Sequence, residues 1–185
     1  MIYSFLQNGD SAVTVQFKNE ISEEVNRRVT GLCNRIEAKH INGIIELVPT
    51  FASLTVFYDC TIISSKKLKK KIEALINGKE CDVKSTAKVW NIPVCYDDEF
   101  ALDMKNVCSH TALEREEVIK LHTSKPYLIY MLGFLPGFAY LGGMDERLFT
   151  PRLKTPRLEI FEGAVGIGGE QTGIYLIASP GGWQL

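Results

Sequence analysis

The stretch YLIYMLGFLPGFAYLGGMDERLFTPRLKTPRLEIFEGAVGIGGEQTGIYLIASPGGWQL, residues 127–185, decides the fold of the C-terminal half of this chain. Eleven of the fifteen glycines lie between Gly133 and Gly182, interleaved with aromatic residues. Glycine permits tight backbone bends that other residues resist, and aromatic side chains carry large apolar surfaces. The pattern therefore predicts short strands that form a β-barrel or sandwich whose loops build a binding surface.

The N-terminal half carries a different pattern, which predicts a compact α+β unit. Strand signals at 12–17, 44–48, 53–58 and 88–96 are separated by two stretches with apolar residues at helical spacing. Ser22 is the expected N-cap of the first helix. The resulting β-α-β-β-α-β order is the ferredoxin-like arrangement. Composition changes near Trp90, since six of the seven prolines lie beyond it, so we predict domains at 1–88 and 89–185.

One clear helix is predicted in the second half, at 112–122. Thr111 would open it as the N-cap, with Glu114 three residues later completing a capping box. The segments YLIYMLGF, GAVGIGG and GIYLIAS follow as strands.

Net charge and hydropathy exclude several classes of protein. The chain of 185 residues has 21 basic and 22 acidic side chains, a formal charge of -1, so no overall field attracts nucleic acid or an anionic membrane. The five lysines between Lys66 and Lys71 fit a solvated helix face better than a nucleic-acid site. No apolar window reaches the roughly 18 residues that span a bilayer, and no signal peptide is visible, which predicts a cytoplasmic protein without a membrane partner.

The sequence motifs do not support a metal site or a nucleotide site. The five cysteines form no C-x-x-C pair and are expected to be reduced structural thiols. With three histidines and no clustered ligands, no metal site is expected. The sequence has no P-loop, no complete G-x-G-x-x-G and no G-x-S-x-G elbow, so no hydrolase machinery of a familiar type is visible.

Polar residues set among the glycines and aromatics are the candidates for ligand binding. Arginine side chains suit carboxylate or phosphate, and an amide or hydroxyl at a turn can face a ligand. Alternatively, the arginines make surface pairs, His122 complements a helix dipole, and the amide and hydroxyl satisfy local backbone groups. The candidates are His122, Arg147, Arg152, Arg157, Gln171 and Thr172, with Glu170 beside them.

A second set of residues is predicted to dock a partner protein. Phe134, Phe138 and Tyr140 stand at even spacing, so they share a face if the segment is extended. Pro136 and the flanking glycines favour an exposed, shaped loop, and Trp183 extends the apolar surface. Packing of these aromatics in a core is the alternative.

Several long motifs resemble those of one family. They are IPVCYDDEF (92–100), EEVIKLH (116–122), YMLGFLPGFAYLGGMDERL (130–148), TPR twice, GAVGIGGEQTGIY (163–175) and SPGGWQL (179–185). Together they resemble the family of B-type 5-oxoprolinase subunits, also described as allophanate hydrolase subunit 1 or the KipI-type histidine kinase inhibitor. The resemblance implies a ferredoxin-like N-terminal domain and a cyclophilin-like β-barrel C-terminal domain.

The resemblance also implies a function that needs partners. A B-type subunit works with a cyclophilin-like C-type subunit and an A-type subunit in the ATP-driven hydrolysis of 5-oxo-L-proline to L-glutamate. This chain alone is then expected to bind no cofactor, and the assembled complex uses ATP. Two alternatives are a KipI-type inhibitor of sensor histidine kinase autophosphorylation and a subunit related to urea carboxylase or allophanate hydrolase. Family members continue past SPGGWQL, so the barrel is expected to be incomplete at its C-terminus. Three explanations stay open: the chain is a fragment, a truncated gene product, or dependent on a partner strand.

Overall fold

The computed structural model describes residues 3–78 and 88–185. The chain divides into two compact units, Met1–Thr86 and Ala87–Leu185. The boundary predicted after residue 88 stays a prediction, because residues 79–87 lie outside the described part of the chain. Among the described residues, no helix is both long and apolar enough to cross a bilayer.

A four-stranded antiparallel sheet and two helices form the first unit. The sheet order is β1-β2-β4-β3, and both helices contribute to its hydrophobic core. The elements are β1 (Ser4–Asn8), β2 (Ala12–Gln16), α1 (Glu23–Lys39), β3 (Ile44–Pro49), β4 (Ser53–Tyr58) and α2 (Ser65–Ile76).

The predicted helices of this unit form where the apolar periodicity placed them. Val25, Val29, Leu32 and Ile36 of α1 are buried against the sheet. In α2 the buried residues are Leu68, Ile72 and Ile76, while the lysines lie between them on the accessible face. Ser22 occupies the N-cap of α1 without a side-chain capping bond.

The predicted β-α-β-β-α-β order is wrong at both ends of the unit. Residues 88–96 form no regular strand, and the edge position beside β2 is filled by β1, which the sequence patterns did not indicate. Three residues separate β1 from β2, and Gly9 has a φ of 62°, which lets the chain reverse tightly there. Because a short hairpin closes at low entropic cost, β1 takes the edge that the more distant segment was expected to occupy.

The second unit is α+β as well and contains two antiparallel sheets. One has the order β5-β6-β9-β8, and the other pairs β10 with β7. Two isolated antiparallel bridges lie on the side of β8 that faces away from β9. They join Thr150 to Gly169 and Ile167 to Gln184. The elements are α3 (Met104–Thr111), α4 (Arg115–His122), β5 (Leu128–Leu132), β6 (Ala139–Gly142), a 3-10 turn (Glu146–Leu148), β7 (Arg157–Ile160), β8 (Val165–Gly168), β9 (Gln171–Ile174) and β10 (Ser179–Gly181).

The helix predicted at 112–122 is in fact the second of two. Thr111 ends α3 and donates its hydroxyl to the Val107 carbonyl oxygen, so it does not cap the next helix. Ala112 adopts a left-handed conformation with φ 56°, which stops α3, and Glu114 sits at the N-cap of α4 without a side-chain bond. The predicted capping box is therefore wrong.

Two hydrophobic clusters hold the second unit together. One joins the buried faces of α3 and α4 to Leu148 and Ile167. The other is an aromatic core of Phe138, Tyr175 and Trp183, whose rings meet edge to face at centroid distances of 5.0 to 6.5 Å. Edge-to-face contact places the positive rim of one ring against the negative face of the next, which adds to the energy of burial.

Candidate functional site

A cavity of about 280 Å³ opens in the second unit. Its walls come from residues 92–96, from α3 and α4, and from the outer edge of β8. Apolar side chains dominate the lining, and His122 and Tyr96 stand among them. A largely apolar cleft with a few convergent polar groups is the usual form of a binding site.

Two polar side chains of this cavity, Tyr96 and His122, form a short chain of hydrogen bonds with Thr172 behind them, which we name the Tyr96–His122–Thr172 relay. The Tyr96 hydroxyl lies 2.6 Å from Nδ1 of His122, and Nε2 of the same ring lies 2.9 Å from Oγ1 of Thr172. Thr172 in turn donates its hydroxyl to the Gly166 carbonyl oxygen at 3.0 Å. The relay thus links the extended segment before α3 to the end of α4 and to β9.

Geometry assigns the proton on His122. The single hydroxyl hydrogen of Thr172 is committed to the Gly166 carbonyl, so Oγ1 of Thr172 must accept, and Nε2 must carry the hydrogen. In the neutral ring Nδ1 is then an acceptor, and it takes the hydrogen of the Tyr96 hydroxyl. Both nitrogens are satisfied, so the ring is a fixed structural group of the cavity wall.

Burial favours the neutral forms of all three ionisable groups around the relay. It lowers the pKa of His122 to about 4 and raises the pKa of Tyr96 to about 12. Burial also raises the pKa of Tyr127 to about 12, with smaller contributions from Tyr96 and Asp145. A charged group loses solvation in an apolar surrounding, so each side chain keeps its uncharged form near neutral pH.

Local contacts hold the relay in place. The Tyr127 hydroxyl donates to the His122 carbonyl oxygen at 2.6 Å, which anchors the end of α4. Arg115 donates to the backbone oxygen of Tyr96 and pairs with Asp98, so the first turn of α4 fixes the segment that carries Tyr96. The tyrosine ring also packs edge-on against the imidazole at 6.0 Å.

Of the six predicted ligand-binding residues, the structure brings His122 and Thr172 together. His122 lines the cavity, and Thr172 is 1% exposed behind it. Gln171 is also buried, at the start of β9, but is not part of the cavity lining. The alternative interpretation, in which His122 complements the helix dipole, requires a charged ring, whereas both ring nitrogens are hydrogen-bonded in the neutral form.

The three predicted arginines have separate partners. Arg147 makes a two-bond pair with Asp145, which lowers the pKa of that carboxyl group to about 2, and Arg152 lies over the Trp183 ring at 5.7 Å. Nη2 of Arg157 donates to Oδ1 of buried Asp103 at 2.7 Å. None of the three lines the cavity, so the described structure does not gather them into one anionic pocket.

The five predicted docking residues differ in exposure. Phe138 and Trp183 are 1% and 4% exposed and belong to the aromatic core, so neither lies on the exposed surface expected of a docking residue. Tyr140 is half-buried beside them. Phe134 and Pro136 are exposed, and Phe134 has a φ of 61°, a conformation that costs energy for a bulky residue.

Sequence patterns did not reveal Tyr96 and Asp103. Tyr96 binds His122 across 26 positions, and Asp103 accepts hydrogen bonds from Arg157 and from the backbone nitrogen of Leu185, 82 positions away. Neither residue belongs to a spaced motif. The strongest available signal was the resemblance itself, since Tyr96 lies within IPVCYDDEF.

Comparison with known proteins places the chain in a family. Residues 3–185 match the family model of the carboxyltransferase domain, subdomain C and D. The B-type 5-oxoprolinase subunit of Bacillus subtilis (strain 168) is 44% identical over 99% of this chain and 80% of its own length. The Haemophilus influenzae protein of the same name is 37% identical over 95% of this chain and 81% of its own length. The chain belongs to the carboxyltransferase subdomain C and D family and, within it, to the family of B-type 5-oxoprolinase subunits.

Solved structures agree with this placement. TTHA0988 superposes with a TM-score of 0.81 at 33% identity, over 94% of this chain and 34% of its own, so our chain spans about a third of that protein. PH0987 from Pyrococcus horikoshii is 44% identical over 98% of this chain and 83% of its own, with a TM-score of 0.51. The urea carboxylase of Kluyveromyces lactis, at 23% identity and a TM-score of 0.78 over 99% of this chain and 18% of its own, shares the fold.

Proposed function

We propose that this chain is the B-type subunit of an ATP-dependent 5-oxoprolinase, a cytoplasmic complex that hydrolyses 5-oxo-L-proline to L-glutamate together with its A-type and C-type partners. The observation that carries the proposal is the 44% identity to a protein named as this subunit over 99% of this chain. Identity at this level over nearly the full chain supports a shared role beyond a shared fold.

The finer fold assignments belong to the same proposal. The first unit is a variant of the ferredoxin-like fold in which the N-terminal strand β1 replaces the final strand at the sheet edge. The second unit is a cyclophilin-like β-barrel, an assignment supported by the two antiparallel sheets and by the bridges that extend the edge of β8.

In this proposal the chain supplies binding surface, and the complex supplies the chemistry. Both nitrogens of His122 are hydrogen-bonded and its pKa is lowered to about 4, so it is not a free general base at neutral pH. Its ring instead orients Tyr96 at the cavity wall. The energy for opening the lactam comes from ATP in the assembled enzyme.

Arg157 remains the best candidate for a substrate carboxylate. Its guanidinium is half-buried, and Nη1 is buried without a hydrogen-bond partner among the described residues. A buried donor left unpaired costs free energy, which a carboxylate oxygen would recover.

The proposal is tested by co-expressing this chain with candidate A-type and C-type subunits and measuring glutamate release from 5-oxoproline with ATP. We expect turnover by the complex and none by any single polypeptide. Arg157→Ala in the complex should lower turnover, whereas the matched control Lys39→Ala, at an exposed lysine that ends α1, should leave it unchanged. A complex that assembles without turnover, while the chain inhibits a cognate sensor histidine kinase, would favour the inhibitor function instead.

A further inference from the structure

The outward side of α2 carries a dense group of lysines. Leu68, Ile72 and Ile76 are buried in the core of the first unit. Because a helix has about 3.6 residues per turn, the lysines at the other positions of its first two turns point away from that core or flank it. We name this surface the lysine face, and its members are Lys66, Lys67, Lys69, Lys70 and Lys71, of which Lys69 is half-buried and the others are exposed.

The charge pattern of α2 is unfavourable for the helix itself. The first turn of α1 contains two glutamates and its last turn a lysine, whereas α2 has no acidic residue in its first turn and no basic residue in its last. A helix N-terminus carries partial positive charge, so lysines near it are destabilising. Lys66 and Lys70, like Lys67 and Lys71, are four positions apart and repel each other. A local rule broken in this way is expected at a functional surface.

Neighbouring groups leave the lysine face uncompensated. None of its members forms an ion pair within residues 3–78 and 88–185. Glu73, the acidic residue of α2, accepts a hydrogen bond from the Tyr3 hydroxyl at 3.2 Å. The chain has 21 basic and 22 acidic side chains, so the rest of the molecule has an acidic surplus once these lysines are set aside. An acidic surface is therefore attracted to this face and repelled elsewhere.

An exposed apolar side chain lies next to the lysine face in the sequence. Ile62 is 55% exposed and stands two residues before Ser64, the N-cap of α2. Its neighbour Ile63 is buried in the core. Protein interfaces combine apolar contacts with a polar rim, and Ile62 supplies such a contact beside the charge.

We propose that the lysine face docks an acidic surface of a partner protein, with Ile62 as its apolar contact. The segment from Ile62 to Ile76 contains no aromatic residue on which a base could stack, which disfavours single-stranded nucleic acid. The apolar side of α2 is buried in the core, so it is not free to enter a lipid surface as that of an interfacial helix would be. Lysine suits carboxylates of varied geometry, because its ammonium group is a point charge on a flexible stem.

The test uses the 185-residue chain and a synthetic probe, an acetylated and amidated dodecapeptide of glutamates with two central leucines. Binding is measured by isothermal titration calorimetry. The variant Lys66→Gln/Lys70→Gln should bind the probe at least about tenfold more weakly, since it removes the centre of the charge. The matched control Lys105→Gln/Lys154→Gln removes the same charge at two exposed lysines of the second unit and should change binding less than about twofold.

Salt and Ile62 provide two further readouts. Raising NaCl from about 50 mM to about 300 mM should weaken binding at least about fivefold, because exposed charges are screened. Ile62→Ser should weaken binding of the leucine-containing probe but not of a probe made of glutamate alone.

Stability separates a loss of binding from a loss of folding. Lys66→Gln/Lys70→Gln relieves repulsion within α2 and removes charge from its N-terminal turns, so its urea unfolding midpoint should be higher than that of the wild type. Neither measurement involves turnover, so the result does not depend on the proposed function.

Five results would overturn the proposal. They are no binding at millimolar probe, equal weakening by the two lysine variants, a lower unfolding midpoint for Lys66→Gln/Lys70→Gln, tighter binding of single-stranded DNA or of phosphatidylserine vesicles than of the probe, and self-association of the chain that this variant abolishes. The fourth would assign the face to nucleic acid or to a lipid surface, and the last to a second copy of this chain.

Discussion

At the scale of single residues, His122 shows how a buried ring couples the fold to pH. Its folded pKa of about 4 lies below the unfolded value of about 6.5. Between these pKa values His122 is protonated in the unfolded chain and neutral in the folded chain. The unfolding free energy therefore rises with pH across this window. The stabilisation is complete above about pH 6.5 and lost as the pH falls toward 4.

We therefore expect the unfolding free energy to drop by on the order of 3 kcal/mol between pH 6.5 and pH 4 because of this residue. The measurement is urea denaturation at several pH values, comparing wild type with His122→Gln. The variant should be less stable at pH 7 but should show a shallower pH dependence. If the unfolding free energies of the two proteins changed in parallel with pH, the pKa of His122 would not be lowered in the folded chain.

The Tyr96–His122–Thr172 relay predicts energetic coupling between its two ends. Tyr96→Phe leaves Nδ1 of His122 without a donor, and Thr172→Val leaves Nε2 without an acceptor. Each change should cost roughly 1–3 kcal/mol, since a buried polar atom stays unpaired. The double variant should differ from the sum by at least about 0.5 kcal/mol, because both changes act on one ring.

Thr172→Ser is the matched control for this cycle, because it keeps the hydroxyl and loses one buried methyl group. Thr172→Ser should lower the unfolding free energy by about 1 kcal/mol. If the changes in unfolding free energy caused by Tyr96→Phe and Thr172→Val were strictly additive, the imidazole would not couple the two side chains energetically.

At the scale of elements, α1 contains a glycine that nothing in the packing requires. A Cβ atom at Gly31 would meet only Nη1 of Arg35, at an ordinary contact distance of 3.7 Å. Glycine inside a helix is less favourable than alanine by about 1 kcal/mol. We expect Gly31→Ala to raise the unfolding free energy by about that amount in urea denaturation.

Gly168→Ala is the contrasting change, since its Cβ atom would lie 2.5 Å from the Trp183 indole. Overpacking of this kind should destabilise by roughly 1–3 kcal/mol. If Gly31→Ala destabilised the chain instead, α1 would have to be held by a contact at residue 31 that the structure does not show.

The elements that could be predicted from sequence are those fixed by local periodicity. The helices α1 and α2 and the strands β3 and β4 follow from apolar spacing and are confirmed, as is the family. The edge strand β1 and the break at Ala112 were missed, because the first depends on competition for a sheet edge and the second on a left-handed alanine that no residue preference indicates.

The candidate site was less predictable, for a related reason. His122 was a candidate from its place in the sequence, but its partners lie 26 and 50 positions away. Hydrogen bonds over such separations depend on the packing of three elements. The arginines were grouped because their side chains suit carboxylate or phosphate, and this shared chemistry does not determine which partner each side chain finds in the fold.

At the scale of the whole molecule, each of the two units has its own hydrophobic core. In the first unit, residues of the β-sheet pack with α1 and α2, while the second unit relies on the α3–α4 cluster and on the aromatic core around Phe138. A core that is complete within one compact unit is the usual mark of a part of the chain that unfolds cooperatively.

This arrangement predicts where the effect of a core substitution will be felt. Phe138→Ala removes a ring that is 1% exposed and touches Tyr140, Tyr175 and Trp183, so it should cost about 3–5 kcal/mol. Hydrogen exchange measured by mass spectrometry should show faster exchange in β6, β8 and β9, while β2 and β4 keep their protection. The control Leu158→Ala, at a side chain 93% exposed, should change stability by less than about 0.5 kcal/mol. Equal loss of protection in both sheets would mean that the two units unfold together, and equal effects of the two substitutions would remove Phe138 from the core.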